Sequence, residues 1–245
     1  MGVNHIEYDR DVNPYPSSGK KYNGEKAIIS LTSWKARINT VPKTLFSLIK
    51  QCPGFHIVLV LSEEEFPQKE KELPEDLLLF VENDIIELLW VYKNYKSFKK
   101  VLFTMDKYRD VPIISADDDC IYKYNYAEEL YQKWIEFPDK NERPITYCCQ
   151  PCKYGFITGG YATLHPPFYF KEYGVSKLNN EILEGYEDDL YYASLREKMH
   201  YTKFFDIGKH IDLVAIDHDS IQPMRNIYQN KFNENLEQIY NATKL

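Results

Sequence analysis

The 245-residue chain contains no uninterrupted apolar stretch near the roughly 20 residues that a membrane-spanning helix needs, which argues against a transmembrane protein. It also lacks an excess of positive charge. Lys and Arg number 30 against 37 Asp and Glu, a net charge of −7, which argues against a protein whose main task is coating nucleic acid. Only a local basic patch remains open. The start, Met1 to Glu7, has neither a basic segment nor an apolar one after it, so no secretory signal is expected there. No internal repeat, low-complexity tract or linker interrupts the sequence. The five cysteines (Cys52, Cys120, Cys148, Cys149 and Cys152) are an odd number and read as reduced thiols in a cytosolic protein. Cys149 and Cys152 have CxxC spacing, but no second ligand pair stands at zinc-finger distance. What is present is ordinary for a globular protein, with 44% apolar and 27% charged residues, and too apolar for dominant disorder.

Short apolar runs alternate with amphipathic segments through the first half. Ala27 to Thr32 reads as a buried strand, and Pro42 opens a helix to about Gln51 with Leu45, Leu48 and Ile49 on one face. His56 to Ser62 is a second buried strand. Glu63 to Asp76 reads as a surface loop with a short helix, Ile85 to Val91 as a third strand, and Ser97 to Tyr108 as a helix. Val111 to Ala116 then runs directly into Asp117-Asp118-Asp119. Strand and helix alternating in this way predict an α/β fold with a mostly parallel sheet. Right-handed crossovers place the strand carboxyl ends along one edge, where open α/β sheets bind ligands. Thr32 and Asp117 should therefore converge, although 85 positions separate them.

Further on, Tyr126 to Ile135 is a predicted helix, Ile145 to Cys149 a strand, Gly155 to Pro167 a loop, Glu187 to Met199 a helix with an acidic first turn, and Asp212 to Ile216 a strand. Residues 1–25 read as a polar, loosely ordered lead-in and 226–245 as a polar tail. A single domain spans 26–225, with a nucleotide half over 26–122 and an acceptor half over 123–225.

Three adjacent carboxylates raise one another's pKa unless a cation is near. A hard divalent ion, Mn²⁺ or Mg²⁺, with oxygen ligands would relieve that repulsion, and Asp117 and Asp119 fall on one side of an extended chain. On its own the triplet also reads as a solvated acidic turn. The segment Ile113-Ile114-Ser115-Ala116-Asp117-Asp118-Asp119 resembles the DxD segment of GT-A glycosyltransferases. The resemblance implies a GT-A-like, Rossmann-like α/β domain with a mixed, mostly parallel sheet flanked by helices. It also implies a metal held against the diphosphate of a nucleotide sugar, with Asp118 among the donor contacts. A bridging divalent ion stabilises the departing nucleoside diphosphate without a proton donor.

Other segments extend the resemblance over residues 26 to 225. Leu31 to Arg37 is similar to the first strand-to-helix loop of bacterial GT-A enzymes, which makes Thr32, Ser33 and Arg37 candidate nucleotide contacts. Asn94 to Lys100 is a basic cluster near a predicted helix start, with Lys96 and Lys99 as candidate diphosphate contacts. Glu184-Gly185-Tyr186-Glu187-Asp188-Asp189 resembles the Gly-x-Glu-Asp-Asp segment of inverting galactosyltransferases. It implies Asp188 as general base and Glu187 and Asp189 as acceptor contacts. Gly160, in the Gly159-Gly160 turn, is a further acceptor candidate, since glycine lets backbone approach a sugar closely. His218 follows the last predicted strand, where a late histidine completes the metal site in several GT-A families. Each segment also has a plainer reading: a surface arginine, a solvated lysine face, an acidic helix start, an ordinary turn, an isolated histidine.

The sequence thus predicts a metal-dependent, inverting hexosyltransferase. It would take a nucleotide-sugar donor, read as UDP-linked, and a carbohydrate or lipid-linked glycan acceptor. Surface glycan assembly in the cytoplasm or at the inner membrane face, with peripheral membrane contact and no nucleic-acid partner, completes the expectation. Two alternatives remain: a sugar nucleotidyltransferase, though Ser33 to Arg37 carries no glycine for a triphosphate loop, and a non-catalytic binding protein of the same fold.

Overall fold

The computed structural model describes residues 15–51, 53–136, 163–167 and 211–214, together with Asp188 and Tyr192. Its centre is a six-stranded sheet. The inner strands are β2 (Ala27–Thr32), β3 (Phe55–Ser62), β4 (Glu87–Val91) and β5 (Ile113–Ser115). Nearly every residue on them is buried, and β3 is buried along all eight positions. Parallel strands covered on both faces require such unbroken apolar runs, which explains how the sequence marks them.

Alternate side chains divide between two cores. Ile29, Leu31, Ile57, Leu59, Leu88 and Trp90 face one layer, while Ile28, Val58, Val60, Leu89 and Ile113 face the other. The first layer is covered by α1 (Val41–Ile49), α2 (Glu75–Glu82) and α4 (Tyr126–Ile135). Pro42 sits in the first turn of α1, where its missing N–H removes no helical bond. Val41, Leu45 and Leu48 turn inward and Phe46 outward. Each buried leucine contributes about 2 kcal/mol by removal from water. The second layer is covered by a 3₁₀ turn, Lys96–Lys100, and by α3 (Leu102–Lys107).

Short antiparallel strands close both edges of the sheet: β1 (Ser17–Gly19) beside β4 and β7 (Thr163–His165) beside β5. The strand order is β1-β4-β3-β2-β5-β7. A separate antiparallel pair joins β6 (Cys120–Tyr122) to β8 (Ile211–Val214). The architecture is the mixed, mostly parallel, helix-flanked sheet expected of a GT-A-like fold. No helix among the described residues is long and apolar enough to cross a membrane.

Three local expectations are corrected. The lead-in is not loose throughout: Tyr15 is 1% exposed, packs edge-on against Phe103 and donates to Asp106, and Ser17–Gly19 pairs with β4. The predicted helix over Ser97 to Tyr108 is broken at Val101 (φ −119°, ψ −50°) into the 3₁₀ turn and α3. Successive side chains of a 3₁₀ turn diverge by about 120°, which lets buried Lys99 and Lys100 reach different partners. The predicted loop over Gly155 to Pro167 contains β7, three residues that pair antiparallel with β5. The short helix expected within Glu63 to Asp76 is present as the 3₁₀ turn Lys69–Glu72, and α2 follows behind Pro74 and buries Leu77 and Val81.

Candidate active site

The chain leaves β2 to build β3 and β4 on one side and returns to place β5 on the other. The strand order therefore reverses between β2 and β5. Loops leaving two such strands diverge and open a crevice at their carboxyl ends. Ser33 and Arg37 follow β2, and Asp117, Asp118 and Asp119 follow β5.

Side chains join the two loops. Ser33 Oγ donates to Asp118 Oδ2 at 2.6 Å, and Arg37 Nη1 to Asp118 Oδ1 at 2.8 Å. Thr44 Oγ1, from α1, donates to the Asp118 carbonyl at 2.9 Å. Asp118 is 6% exposed. Burial pushes its carboxyl above the ordinary range, and Arg37 and Ser33 offset that rise only in part. Burial works against the Arg37 charge as well, but Asp118 and Asp119 more than offset it, and the guanidinium pKa is raised. Asp118 is thus the anchor of the turn, gripped from behind.

Its neighbours are less buried. Asp117 keeps a side chain 32% exposed, and Asp119 receives Arg37 at 3.1 Å. The Tyr122 hydroxyl accepts the Asp117 backbone N–H at 2.7 Å. One ligand atom from each of Asp117, Asp119 and Cys120 lies within 4.8 Å of the others. Burial, then Asp117 and Asp119, push the Cys120 thiol pKa well up, so it stays protonated. Two carboxylates beside a neutral thiol suit a hard divalent cation far better than a soft metal, which would need the thiolate.

The basic cluster divides its work. Lys96 has a left-handed backbone (φ +51°), and its N–H donates to Asn94 Oδ1. Lys99 is 1% exposed and reaches Glu65 at 2.7 Å, Asn94 Oδ1 at 3.2 Å and the Ser33 carbonyl at 3.4 Å. Burial lowers its pKa, which Glu65 only partly restores. Lys99 therefore braces the loop after β2 from inside the protein. Lys100, which the sequence reading passed over, reaches Asp117 Oδ1 at 2.7 Å and Asp188 Oδ2 at 3.6 Å. Three lysines in five residues give no signal of which ones turn inward.

Asp188 is helical and 5% exposed, and its Oδ2 has no hydrogen-bond partner. One helical turn later, Tyr192 packs against Phe98 and His165. The acidic segment and the triplet, about 70 positions apart in sequence, thus meet at Lys100. Thr32, at the end of β2, donates its hydroxyl to the Val60 carbonyl at 2.7 Å. Gly160, Glu187, Asp189 and His218 lie outside the described residues, as do the predicted strand over Ile145 to Cys149 and the 226–245 tail.

No family model matches the sequence, and no curated protein matches it. Among solved structures, the chain is similar to the mannosyltransferase PcManGT from Pyrobaculum calidifontis, solved in complex with GDP-Man and Mn²⁺. The TM-score is 0.56 at 13% identity, over 92% of this chain and 65% of that one. It is also similar to the glycosyltransferase GlyE from Streptococcus pneumoniae TIGR4, with a TM-score of 0.47 at 15% identity, over 86% of this chain and 50% of that one. The chain spans between half and two thirds of the length of these proteins. The likeness to PcManGT shows the fold alone: a glycosyltransferase fold of the GT-A-like, Rossmann type.

Proposed function

We propose that the protein is a metal-dependent glycosyltransferase that moves a hexose from a nucleotide sugar to a carbohydrate hydroxyl with inversion. The observation that carries it is the contact of Ser33 and Arg37 with Asp118 and Asp119 at the strand-order reversal, beside an Asp117 whose partner Lys100 also lies 3.6 Å from Asp188. The fold neighbour with GDP-Man and Mn²⁺ supports a nucleotide-sugar donor and a divalent ion.

Asp117 and Asp119 would hold the ion, with His218 as a further ligand. When bound, it supplies positive charge against the departing nucleoside diphosphate. Asp118, Ser33 and Arg37 keep the acidic turn in place, and the loops after β2 and β4 face the nucleotide, with Thr32, Lys96 and Lys99 shaping that side. Asp188 takes the proton of the acceptor hydroxyl as its oxygen attacks the anomeric carbon and the bond to phosphate breaks. An orphaned, buried carboxylate oxygen suits that role, because it has an unfilled place for one proton donor. Glu187, Asp189 and Gly160 are the proposed acceptor contacts. A UDP donor, a glycan acceptor and a cytoplasmic setting at the membrane face belong to the same proposal.

The test is release of nucleoside diphosphate from a panel of UDP- and GDP-sugars, with and without Mn²⁺, followed by Asp117→Asn and Asp119→Asn. Turnover that requires Mn²⁺ and falls at least about 100-fold in each variant supports the proposal. Release of pyrophosphate from a nucleoside triphosphate and a sugar phosphate would instead identify a nucleotidyltransferase. Binding of nucleotide sugars without any turnover would identify a binding protein.

A further inference from the structure

Lys100 sits between two acidic groups from distant parts of the chain. Its ammonium is 2.7 Å from Asp117 Oδ1 and 3.6 Å from Asp188 Oδ2, and its side chain is 7% exposed. An ammonium so far removed from water needs charge partners to offset the lost hydration. The other nearby cations have their own duties: Lys99 is held by Glu65, and Arg37 by Asp118 and Asp119. Asp188 Oδ2 accepts no hydrogen bond, and its contact with Lys100 is an ion pair at 3.6 Å.

The Asp117 carboxylate that touches Lys100 also belongs to the group able to hold a cation. An ammonium and a divalent ion on one carboxylate repel each other strongly where little water screens them. We propose that Lys100 is a positioning residue and the internal counter-cation of the site. It holds Asp117 and Asp188 together in the free protein, and a divalent cation has to displace its ammonium from Asp117 in order to bind. This rests on the reading of Asp117 as a metal ligand. It follows that the free protein binds the cation weakly and that a nucleoside diphosphate, bringing negative charge, strengthens binding.

The experiment titrates Mn²⁺ into the protein without nucleotide and counts free Mn²⁺ by electron paramagnetic resonance. Thermal melting checks the fold of each variant. Lys100→Met is expected to bind Mn²⁺ about tenfold more tightly than the wild type, and Lys100→Arg, which keeps the charge, within about twofold of it. Lys100→Gln carries the same test should the methionine variant melt below the assay temperature. UDP or GDP should tighten Mn²⁺ binding more in the wild type than in Lys100→Met. Equal or weaker Mn²⁺ binding by the folded Met or Gln variant overturns the role of Lys100 and leaves the metal site standing. No Mn²⁺ binding by any of the folded proteins overturns both.

Discussion

A single nitrogen of Arg37, Nη1, lies 2.8 Å from Asp118 Oδ1 and 3.1 Å from Asp119 Oδ2, so one guanidinium from the loop after β2 clamps two consecutive carboxylates after β5. Removing it strands Asp118 in a buried position with Ser33 as the remaining donor to its carboxylate among the described contacts. Arg37→Met is expected to lose about 3 kcal/mol of stability in urea unfolding. Adding Asp118→Asn should recover part of that loss, because the amide needs no counter-charge. Strictly additive losses in the double variant would show that the pair is not coupled.

Asp188→Asn keeps the shape of the side chain and removes its ability to take a proton. Transfer to a carbohydrate acceptor is expected to fall by about 10² to 10⁴, while affinity for the nucleotide sugar changes little. Steady-state kinetics alongside calorimetric donor titration reads both quantities. Undiminished transfer would remove Asp188 from the role of base.

A second buried polar cluster lies on β3 and β4, with Glu87 at its centre. Burial alone would raise the Glu87 pKa, but His56 at 2.7 Å, Lys107 at 2.5 Å and the Tyr108 hydroxyl hold the carboxyl down to about 2. The unfolded chain then binds its proton more readily than the folded one. Stability from this group is complete above about pH 4.5, shrinks as pH falls, and is gone below about 2. It amounts to about 3 kcal/mol. Glu87→Gln should therefore be less stable than the wild type at pH 7, with a gap that closes toward pH 2. Urea unfolding over that range measures it, and a constant gap would contradict the assignment.

Gly19 has φ +79°, and a Cβ there would lie 2.4 Å from the Ile86 carbonyl oxygen, which also accepts the Lys20 N–H at 2.9 Å. Gly19→Ala is expected to lose about 2 kcal/mol and to loosen β1 from β4. Thermal unfolding and amide exchange of Trp90, whose N–H donates to the Pro16 carbonyl, report the two effects. An unchanged melting temperature would mean that the edge strand is not held as described.

Long, strongly patterned elements were legible from residue order. β2, β3, β4, α1 and α4 follow from unbroken or evenly spaced apolar residues, because burial acts on every position of a long element and leaves a periodic trace, and the short β5 was legible only as part of the longer run Val111 to Ala116. That the loops after β2 and β5, expected at Thr32 and Asp117, share an edge was legible too, since the order of strands and helices dictates which loops lie together. Three-residue strands such as β1 and β7 leave too short a trace, and their pairing depends on the edge each one covers. The break at Val101 and the choice of Lys100 over Lys96 as the residue facing Asp117 and Asp188 were equally hidden. Neighbouring lysines are chemically identical in the sequence, and only the packing of the turn against the sheet sends one ammonium toward a carboxylate some 17 and another some 88 positions away.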